Sequence, residues 1–372
     1  MSGDTQLSNE LQRVLQEFGS DLKALLPEEA VQKFLKSEKS ELAPATLSEY
    51  ERELTRFVGF CEENGVEDTS EFDGRVLHDF KIWRRDEAHD GEGSLSNKTM
   101  RDEMYLFRKF LRFLESIDAV TPRLHTKIEI PTLDPGEGER DIEFASDELN
   151  AILAHLEKYE YASREHAVWV LFAATGRRPS GLRALDLKDV HLEEDEAYIE
   201  FNHRVGEETE TRLKNKKSSE NTVYVNESAA EVLRDYIDTH RVDIEENGRS
   251  PLLTTSYGRL SDSSIRKYVY KWSRPCVVGN GCPEGRTPEG CEAMESSDCA
   301  VKCPFSKPPV ALRHGYISNL RRQGISLHTI SDRCDVSEEV IEKHYSELSE
   351  KEKRELRREE LESNTESDSG FL

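Results

Sequence analysis

The chain has 372 residues, which is enough for two domains, because domains usually hold about 100–200 residues. Its 75 acidic and 51 basic residues give a net charge of −24, which excludes a uniformly basic nucleic-acid-binding surface. Such an acidic excess is typical of halophilic proteins, because molar salt screens charges beyond about 3 Å and only a contact face must then be basic. An ordinary acidic cytosolic enzyme is the alternative.

The first part of the chain predicts an arm followed by a helical domain. Residues 1–41 carry short amphipathic stretches, which we interpret as an N-terminal arm. Apolar residues at helical spacing predict three helices, over 47–61, 76–83 and 100–114, within a domain at 42–120. Basic residues interleave with the third helix and predict a DNA-contact face, although such a stripe is often just the solvated side of a helix. These residues are Lys98, Arg101, Arg108, Lys109 and Arg112.

A segment rich in proline and glycine, 121–144, predicts a linker to a second domain. Helical patterns resume at 146–159 and 166–174, and the second of these is nearly all apolar, which predicts burial. Strand-like composition at 197–201 and 222–225 then predicts a β-hairpin with a long polar connection.

Helical patterns continue to the end of the second domain, which we place at 145–350, apart from a Cys-rich insert at 276–303. Residues 351–372 form a charged tail. The fold class predicted is mainly α with a small antiparallel β-sheet. The first residues lack a basic flank with an apolar segment, and no stretch approaches 18 apolar residues, so we expect a soluble, cytoplasmic protein with no membrane partner.

Three short motifs in the second domain carry chemistry. In the first, Arg178 follows the Thr175-Gly176 break at the start of a new helix, where a guanidinium suits an anion. In the second, Arg313 opens another helix. The third contains Tyr345, which follows Arg313 by 32 residues. Each motif alone would also fit an ordinary surface residue. Their order and spacing over residues 42–350, however, resemble the phage-integrase type of tyrosine recombinase.

The resemblance implies a tyrosine-recombinase catalytic fold preceded by a helical core-binding domain. It also implies that Tyr345 attacks a DNA phosphate, that Arg178 and Arg313 bind this phosphate, and that a hairpin lysine protonates the leaving oxygen. Lys216 is the first choice for that lysine, with Lys214 second and Lys217 third. The implied partners are double-stranded DNA and three further copies in a tetramer on paired sites, and catalysis needs neither metal nor ATP.

The sequence departs from the family pattern at several positions. Val310 stands where the family has a histidine, and His314, one helical turn later, is the candidate substitute. Asp335 stands near the usual histidine or tryptophan, where an acidic group is expected to repel phosphate unless Arg333 takes the role. Gly181 replaces a common glutamate. These departures leave open a catalytically impaired DNA-binding protein of the same fold.

The chain contains seven cysteines, and five of them lie in the insert. In a reducing compartment such a cluster predicts metal ligands or free thiols before disulfides. Cys276, Cys282, Cys291 and Cys303 could hold a structural zinc, with Cys299 as the spare thiol, and a zinc-free loop is the alternative. Two further functional readings are a type IB topoisomerase and a metal-binding interaction protein built around this insert.

Overall fold

The computed structural model describes residues 22–87, 95–134, 137, 142–193, 196–206, 210–346, 354 and 358, with the backbone alone at 343–346. The chain divides into two compact units, Met1–Arg140 and Asp141–Leu372. The described residues are mainly helical, with small antiparallel sheets in the second unit, which confirms the predicted fold class. No helix among them is long and apolar enough to cross a membrane.

The first unit is a helical bundle around an aromatic core. The three predicted helices are confirmed, and side-chain oxygens of Asp73 and Ser96 cap the last two by accepting hydrogen bonds from backbone N–H groups. Phe57 lies at the centre of the core and contacts the rings of Phe80 and Phe107. The helices are α1 (Pro27–Glu38), α2 (Pro44–Asn64), α3 (Gly74–Ile82) and α4 (Asn97–Ser116).

Two predicted boundaries of this unit are wrong. Helix α1 lies within the predicted arm, yet its Ala30 and Phe34 are fully buried in the core. On the other side, Leu124 and Ile128 lie within the predicted linker and are buried in the same core. The apolar side chains at both ends therefore extend the bundle beyond residues 42–120, because each removes apolar surface from water.

Within its described residues, the second unit packs eight helices and a three-stranded sheet around one large core and one small one. Both predicted strands are confirmed as β2 (Tyr198–Phe201) and β3 (Asn221–Tyr224), with Ile199 opposite Val223 and both side chains buried. A strand that the pattern did not predict, β1 (Val190–His191), pairs with the outer edge of β2. The helices are α5 (Ser146–Tyr159), α6 (Arg164–Thr175), α7 (Pro179–Ala184), α8 (Glu227–Asp235), α9 (Asp262–Trp272), α10 (Pro309–Arg322), α11 (Leu327–Cys334) and α12 (Glu338–Ser346).

The small core fixes the last three helices of this unit relative to one another. Ile317 of α10, Ile330 of α11 and Ile341 of α12 are buried together. This packing sets the turn between α11 and α12, which carries Asp335, against the helix that carries Arg313.

Gly176 ends α6 in a conformation that favours glycine, with φ of 61°. A Cβ atom there would lie 2.3 Å from Cδ1 of Tyr316. The Tyr316 ring cannot easily move aside, because its hydroxyl donates to the carbonyl of Ala174 and accepts from Arg333. We therefore expect Gly176→Ala to lower the free energy of unfolding by at least about 2 kcal/mol, as measured by urea denaturation.

Gly181 supplies the matched control for that substitution. It lies in α7, and an added Cβ would meet Phe201 and Arg177 at ordinary contact distances of 3.5 Å. Gly181→Ala should change the free energy of unfolding by less than about 1 kcal/mol, since alanine is the better helix former. Equal losses for both variants would contradict the close packing of Tyr316 on Gly176.

His166 makes the stability of the second unit depend on pH. It is buried on α6, accepts a hydrogen bond from the backbone N–H of Ala162 at Nδ1, and burial lowers its pKa from 6.5 to about 4. The unfolded chain therefore binds a proton below pH 6.5 that the folded chain does not bind until about pH 4. We expect the free energy of unfolding to fall by about 3 kcal/mol between these values.

His166→Asn tests this, because an asparagine oxygen can accept the same bond without titrating. In this variant the free energy of unfolding should fall less between pH 6.5 and pH 4 than in the wild type, because the contribution of His166 is absent. Urea denaturation at several pH values measures the difference. His328, which is exposed on α11, is the control, and His328→Asn should leave the pH dependence as in the wild type. An unchanged slope in His166→Asn would show that another group is responsible.

Candidate active site

The two predicted phosphate-binding arginines lie side by side in the second unit. Arg178 is the residue preceding α7, and Arg313 lies in the first half of α10. Nη1 of Arg178 and Nη2 of Arg313 both donate to the backbone oxygen of Asp335, each at 2.8 Å. Two arginines from distant parts of the sequence thus converge on one atom.

Arg313 is held by the ends of two helices. Its Nη1 donates to the carbonyl of Gly176, at 3.0 Å, and to the carbonyl of Cys334. These carbonyls lie at the C-terminal ends of α6 and α11, where backbone oxygens lack helical partners and the helix dipole is negative. Burial lowers the pKa of Arg313 to about 10, and the nearby charge of Arg178 acts in the same direction. The guanidinium still remains protonated at neutral pH.

The carboxylate of Asp335 occupies the donors beside these arginines. Its Oδ2 accepts from Nη1 of Arg178 at 2.7 Å and from the hydroxyl of Ser219 at 2.8 Å. Its Oδ1 accepts from Nδ2 of Asn215 at 2.9 Å. A guanidinium, a hydroxyl and an amide are the donors that also suit the oxygens of a phosphate. The residue expected to repel phosphate is therefore bonded to the very arginine proposed to bind it.

Arg333 does not replace Asp335 at this position. Its Nη2 donates to the carbonyls of Ala174 and Tyr224, at 2.6 and 2.8 Å, and its Nε donates to the hydroxyl of Tyr316. These bonds tie α11 to the end of α6 and to β3. Arg333 thus has a structural role, because it holds in place the helix that ends just before Asp335.

The predicted lysine loop is fixed to the same carboxylate. Lys214, Lys216 and Lys217 are all exposed, around a short 3-10 turn over Lys216–Ser219. Asn215 and Ser219, which lie on either side of Lys216, both donate to Asp335. The loop that carries the candidate general acid is thereby held next to the arginine pair.

Helix α12 begins directly after the turn that holds Asp335 and carries Tyr345 and His344 on its backbone. The side chains of both residues lie outside what the structure describes. On α10, Val310 is exposed and His314 is half-buried. Because residues four apart share a helix face, His314 lies on the same side as Val310, one turn further along.

Arg177 is a functional candidate that sequence reasoning missed. It is 3% exposed, donates from Nη1 to the carbonyl of Ser219 at 3.1 Å, and stacks on the ring of Phe201. Its Nε and Nη2 are buried and, within the described part of the chain, have no hydrogen-bond partner. A buried donor left unpaired usually costs about 1–3 kcal/mol, so this arrangement calls for a function. Burial lowers the pKa of Arg177, while the charge of Asp335 opposes that shift.

Only part of the predicted DNA-contact stripe on α4 is free of other contacts. Lys109 pairs with Glu38 of α1, and Arg108 donates to the carbonyl of Ile128, so both contribute to the packing of the first unit. Lys98 pairs with Asp102, one turn along the same helix. Arg112 is exposed, and half-buried Arg101 lies over the ring of Tyr105.

The Cys-rich insert packs against α9 through a short turn at Asp298–Lys302. Burial raises the pKa of Cys276, and the charges of Cys282 and Cys303 add to that effect while Arg274 opposes it. Three predicted ligands are therefore close enough to interact. Across the described residues, however, no three metal-binding side chains are arranged around one point. The zinc site stays a prediction.

Asn215, Ser219 and Arg177 were not among the residues selected from sequence. The sequence could have indicated Asn215 and Ser219, because both border the lysine segment of the predicted hairpin. The sequence could not have indicated Arg177, because an arginine next to Arg178 looks like an ordinary surface residue until its burial is known.

Comparison with known proteins finds a family similarity within the second unit. Residues 143–275 match the model of the phage integrase family. Tyrosine recombinase XerC of Shigella flexneri serotype 5b is 26% identical over 171 residues, which are 45% of this chain and 54% of that protein. XerC of Escherichia coli O157:H7 is 25% identical over the same lengths. The chain thus spans about half the length of the curated relatives that it matches.

Solved structures share the fold at low sequence identity. The Tn1549 transposon integrase in complex with a circular intermediate DNA aligns with a TM-score of 0.63 and 12% identity, over 90% of this chain and 99% of that one. The XerH recombinase bound to a palindromic difH substrate aligns with a TM-score of 0.58 and 14% identity, over 91% and 84%. This confirms the recombinase fold expected from the sequence.

Proposed function

Since residues 143–275 match the model of the phage integrase family, we propose that this chain is a member of it and a site-specific tyrosine recombinase that cuts and rejoins double-stranded DNA. The observation that carries the proposal is the convergence of Arg178 and Arg313 on one oxygen of Asp335. Two guanidinium groups at one point form a strong anion site, as the charge on a phosphoryl transition state requires.

In the proposed reaction the hydroxyl oxygen of Tyr345 attacks the scissile phosphorus and gives up its proton to His314, the candidate substitute for the family's histidine. A bond from phosphorus to the tyrosine oxygen forms, the bond to the 5′ oxygen of the DNA breaks, and a 3′-phosphotyrosine results. Lys216, with Lys214 as the alternative, donates a proton to the departing 5′ oxygen. Attack by a 5′ hydroxyl reverses these steps. One phosphodiester replaces another, so ligation needs no ATP, and no step requires a metal ion.

The same proposal assigns DNA as the partner and a tetramer on paired sites as the active assembly. Support for the DNA partner comes from solved structures of similar fold, namely the Tn1549 integrase in complex with a circular intermediate DNA, the XerH recombinase bound to a palindromic difH substrate and a lambda integrase dimer bound to a COC′ core site. On α4, Arg112, Lys98 and Arg101 are the cations proposed to contact backbone phosphates, the first two being exposed and the third half-buried.

The test of this function is a covalent adduct on a nicked DNA substrate that carries the protein's own site, found by selecting bound fragments from its genome. Wild-type protein should form the adduct. Tyr345→Phe should abolish it while DNA binding persists, because only the nucleophilic oxygen is removed. Arg178→Ala and Arg313→Ala should each slow adduct formation by about two to four orders of magnitude.

Two controls separate catalysis from folding. Arg234 lies on α8 with a side chain 32% exposed, close to the 33% of Arg178, so Arg234→Ala matches the loss of charge and should cleave as wild type does. His344→Ala should keep the adduct, since the proposal gives His344 no role. If wild-type protein binds its site tightly but forms no adduct, the impaired DNA-binding protein of the same fold becomes the better description.

We further propose that the insert holds one structural zinc on Cys276, Cys282, Cys291 and Cys303. Reduced, purified protein should then contain about one zinc per chain, and a chelator should increase the number of thiols that react with a disulfide reagent. Cys61 and Cys334 should resist the reagent with or without zinc, because burial raises their pKa to about 12 and about 11. Cys282→Ser should lose the metal.

Cys299→Ser is the matched control for Cys282→Ser, because both residues lie in the insert and are half-buried. It should retain the zinc. Protein without metal, in which all five insert thiols react at once, would rule out the site.

A further inference from the structure

Asp335 holds the donors that a scissile phosphate must use if the proposed function is right. Its carboxylate bonds to Nη1 of Arg178 at 2.7 Å and is 12% exposed. Two anions cannot share this donor, because they repel each other and compete for the same N–H. The carboxylate must therefore leave Arg178 when phosphate enters, and as a partly buried charge it needs another partner.

A candidate partner lies next to it. Ser219 links the two groups, since its carbonyl accepts from Nη1 of Arg177 and its hydroxyl donates to the carboxylate of Asp335. Arg177 and Asp335 also line one groove of about 290 Å³, together with hydroxyl and amide side chains such as those of Asn215, Ser218 and Ser331.

Arg177 is built to receive an anion. Its guanidinium is fixed by Ser219 and by the ring of Phe201, while Nε and Nη2 are buried without a partner within the described part of the chain. These two nitrogens lie on one edge of the guanidinium, which is the edge that binds a carboxylate in bidentate fashion. The guanidinium of Arg177 is therefore held in position before a carboxylate binds to it.

We propose that Arg177 is a positioning residue that takes over the carboxylate of Asp335 when a phosphate binds to Arg178 and Arg313. Asp335 thereby keeps the phosphate site closed in the absence of DNA, and Arg177 lowers the cost of opening it. This inference rests on the proposed function for its biological meaning. The exchange itself, however, can be measured with inorganic phosphate and without DNA.

The experiment is a double-mutant cycle on the full chain, with the dissociation constant of inorganic phosphate measured by titration calorimetry at constant ionic strength. R177M should weaken phosphate binding about tenfold, because the displaced carboxylate then has no second partner. D335N should strengthen it by a similar factor, since no carboxylate competes. R177M/D335N should bind like D335N, because Arg177 matters only while Asp335 carries a charge.

Control variants distinguish the proposed exchange of partners from a general structural effect of the substitutions. Asp332 is an exposed carboxylate one turn before Asp335 in the same groove, so D332N matches the change in charge and should leave phosphate affinity within about twofold. R178A should remove the binding that the other variants modulate. Should R177M fail to fold, R177K provides the same comparison, because an ammonium lacks the paired donors of the guanidinium.

An equal loss of affinity from R177M in the Asp335 protein and in the D335N background would overturn the inference, since Arg177 would then act independently of Asp335. Phosphate binding that R178A leaves intact would also overturn it, by placing the anion elsewhere. The expected coupling without any DNA adduct on Tyr345 would support the exchange of partners while rejecting the proposed recombinase. The two proposals can therefore fail separately.

Discussion

The site in the second unit depends on holding a buried guanidinium, that of Arg313, beside the partly exposed guanidinium of Arg178. Burial is costly for a guanidinium, and the like charge of Arg178 adds to the cost, so the pKa of Arg313 falls to about 10. The fold offsets this with the C-terminal ends of α6 and α11, whose unpaired carbonyls accept from Arg313. Asp335 adds a full negative charge. The arginine pair and these helix ends therefore stabilise each other.

That constraint explains several features around the site. The carbonyl of Gly176 accepts from Arg313, and the ring of Tyr316 packs where a Cβ atom of residue 176 would lie. Arg333 holds α11 to the end of α6 and to β3. The lysine loop is attached through Asn215 and Ser219. These hydrogen bonds to backbone and carboxylate oxygens position the proposed catalytic groups, and the small apolar core of Ile317, Ile330 and Ile341 holds the helices that carry them.

Charge is distributed unevenly over the molecule. A net charge of −24 coexists with three arginines, Arg177, Arg178 and Arg313, around a single aspartate. On α4 some of the cations that look like a DNA-contact face are ion-paired within the first unit, as Lys109 is with Glu38. A stripe of basic residues is thus a weaker indication of a DNA surface than its sequence spacing suggests. The halophilic interpretation of the acidic excess stays a prediction.

The sequence alone was enough to predict helices α2 to α4, the β2–β3 hairpin and the two arginines, because helical spacing, strand composition and a glycine break are local properties. It could not predict that α1 belongs to the first core, or that Asp335 bonds to Arg178 and leaves two donors of Arg177 unpaired. These features depend on which residues meet across long sequence separations. An acidic residue beside a phosphate site looks unfavourable in a sequence, whereas in the folded chain the carboxylate of Asp335 accepts from Arg178 and its charge favours the protonated forms of Arg177 and Arg313.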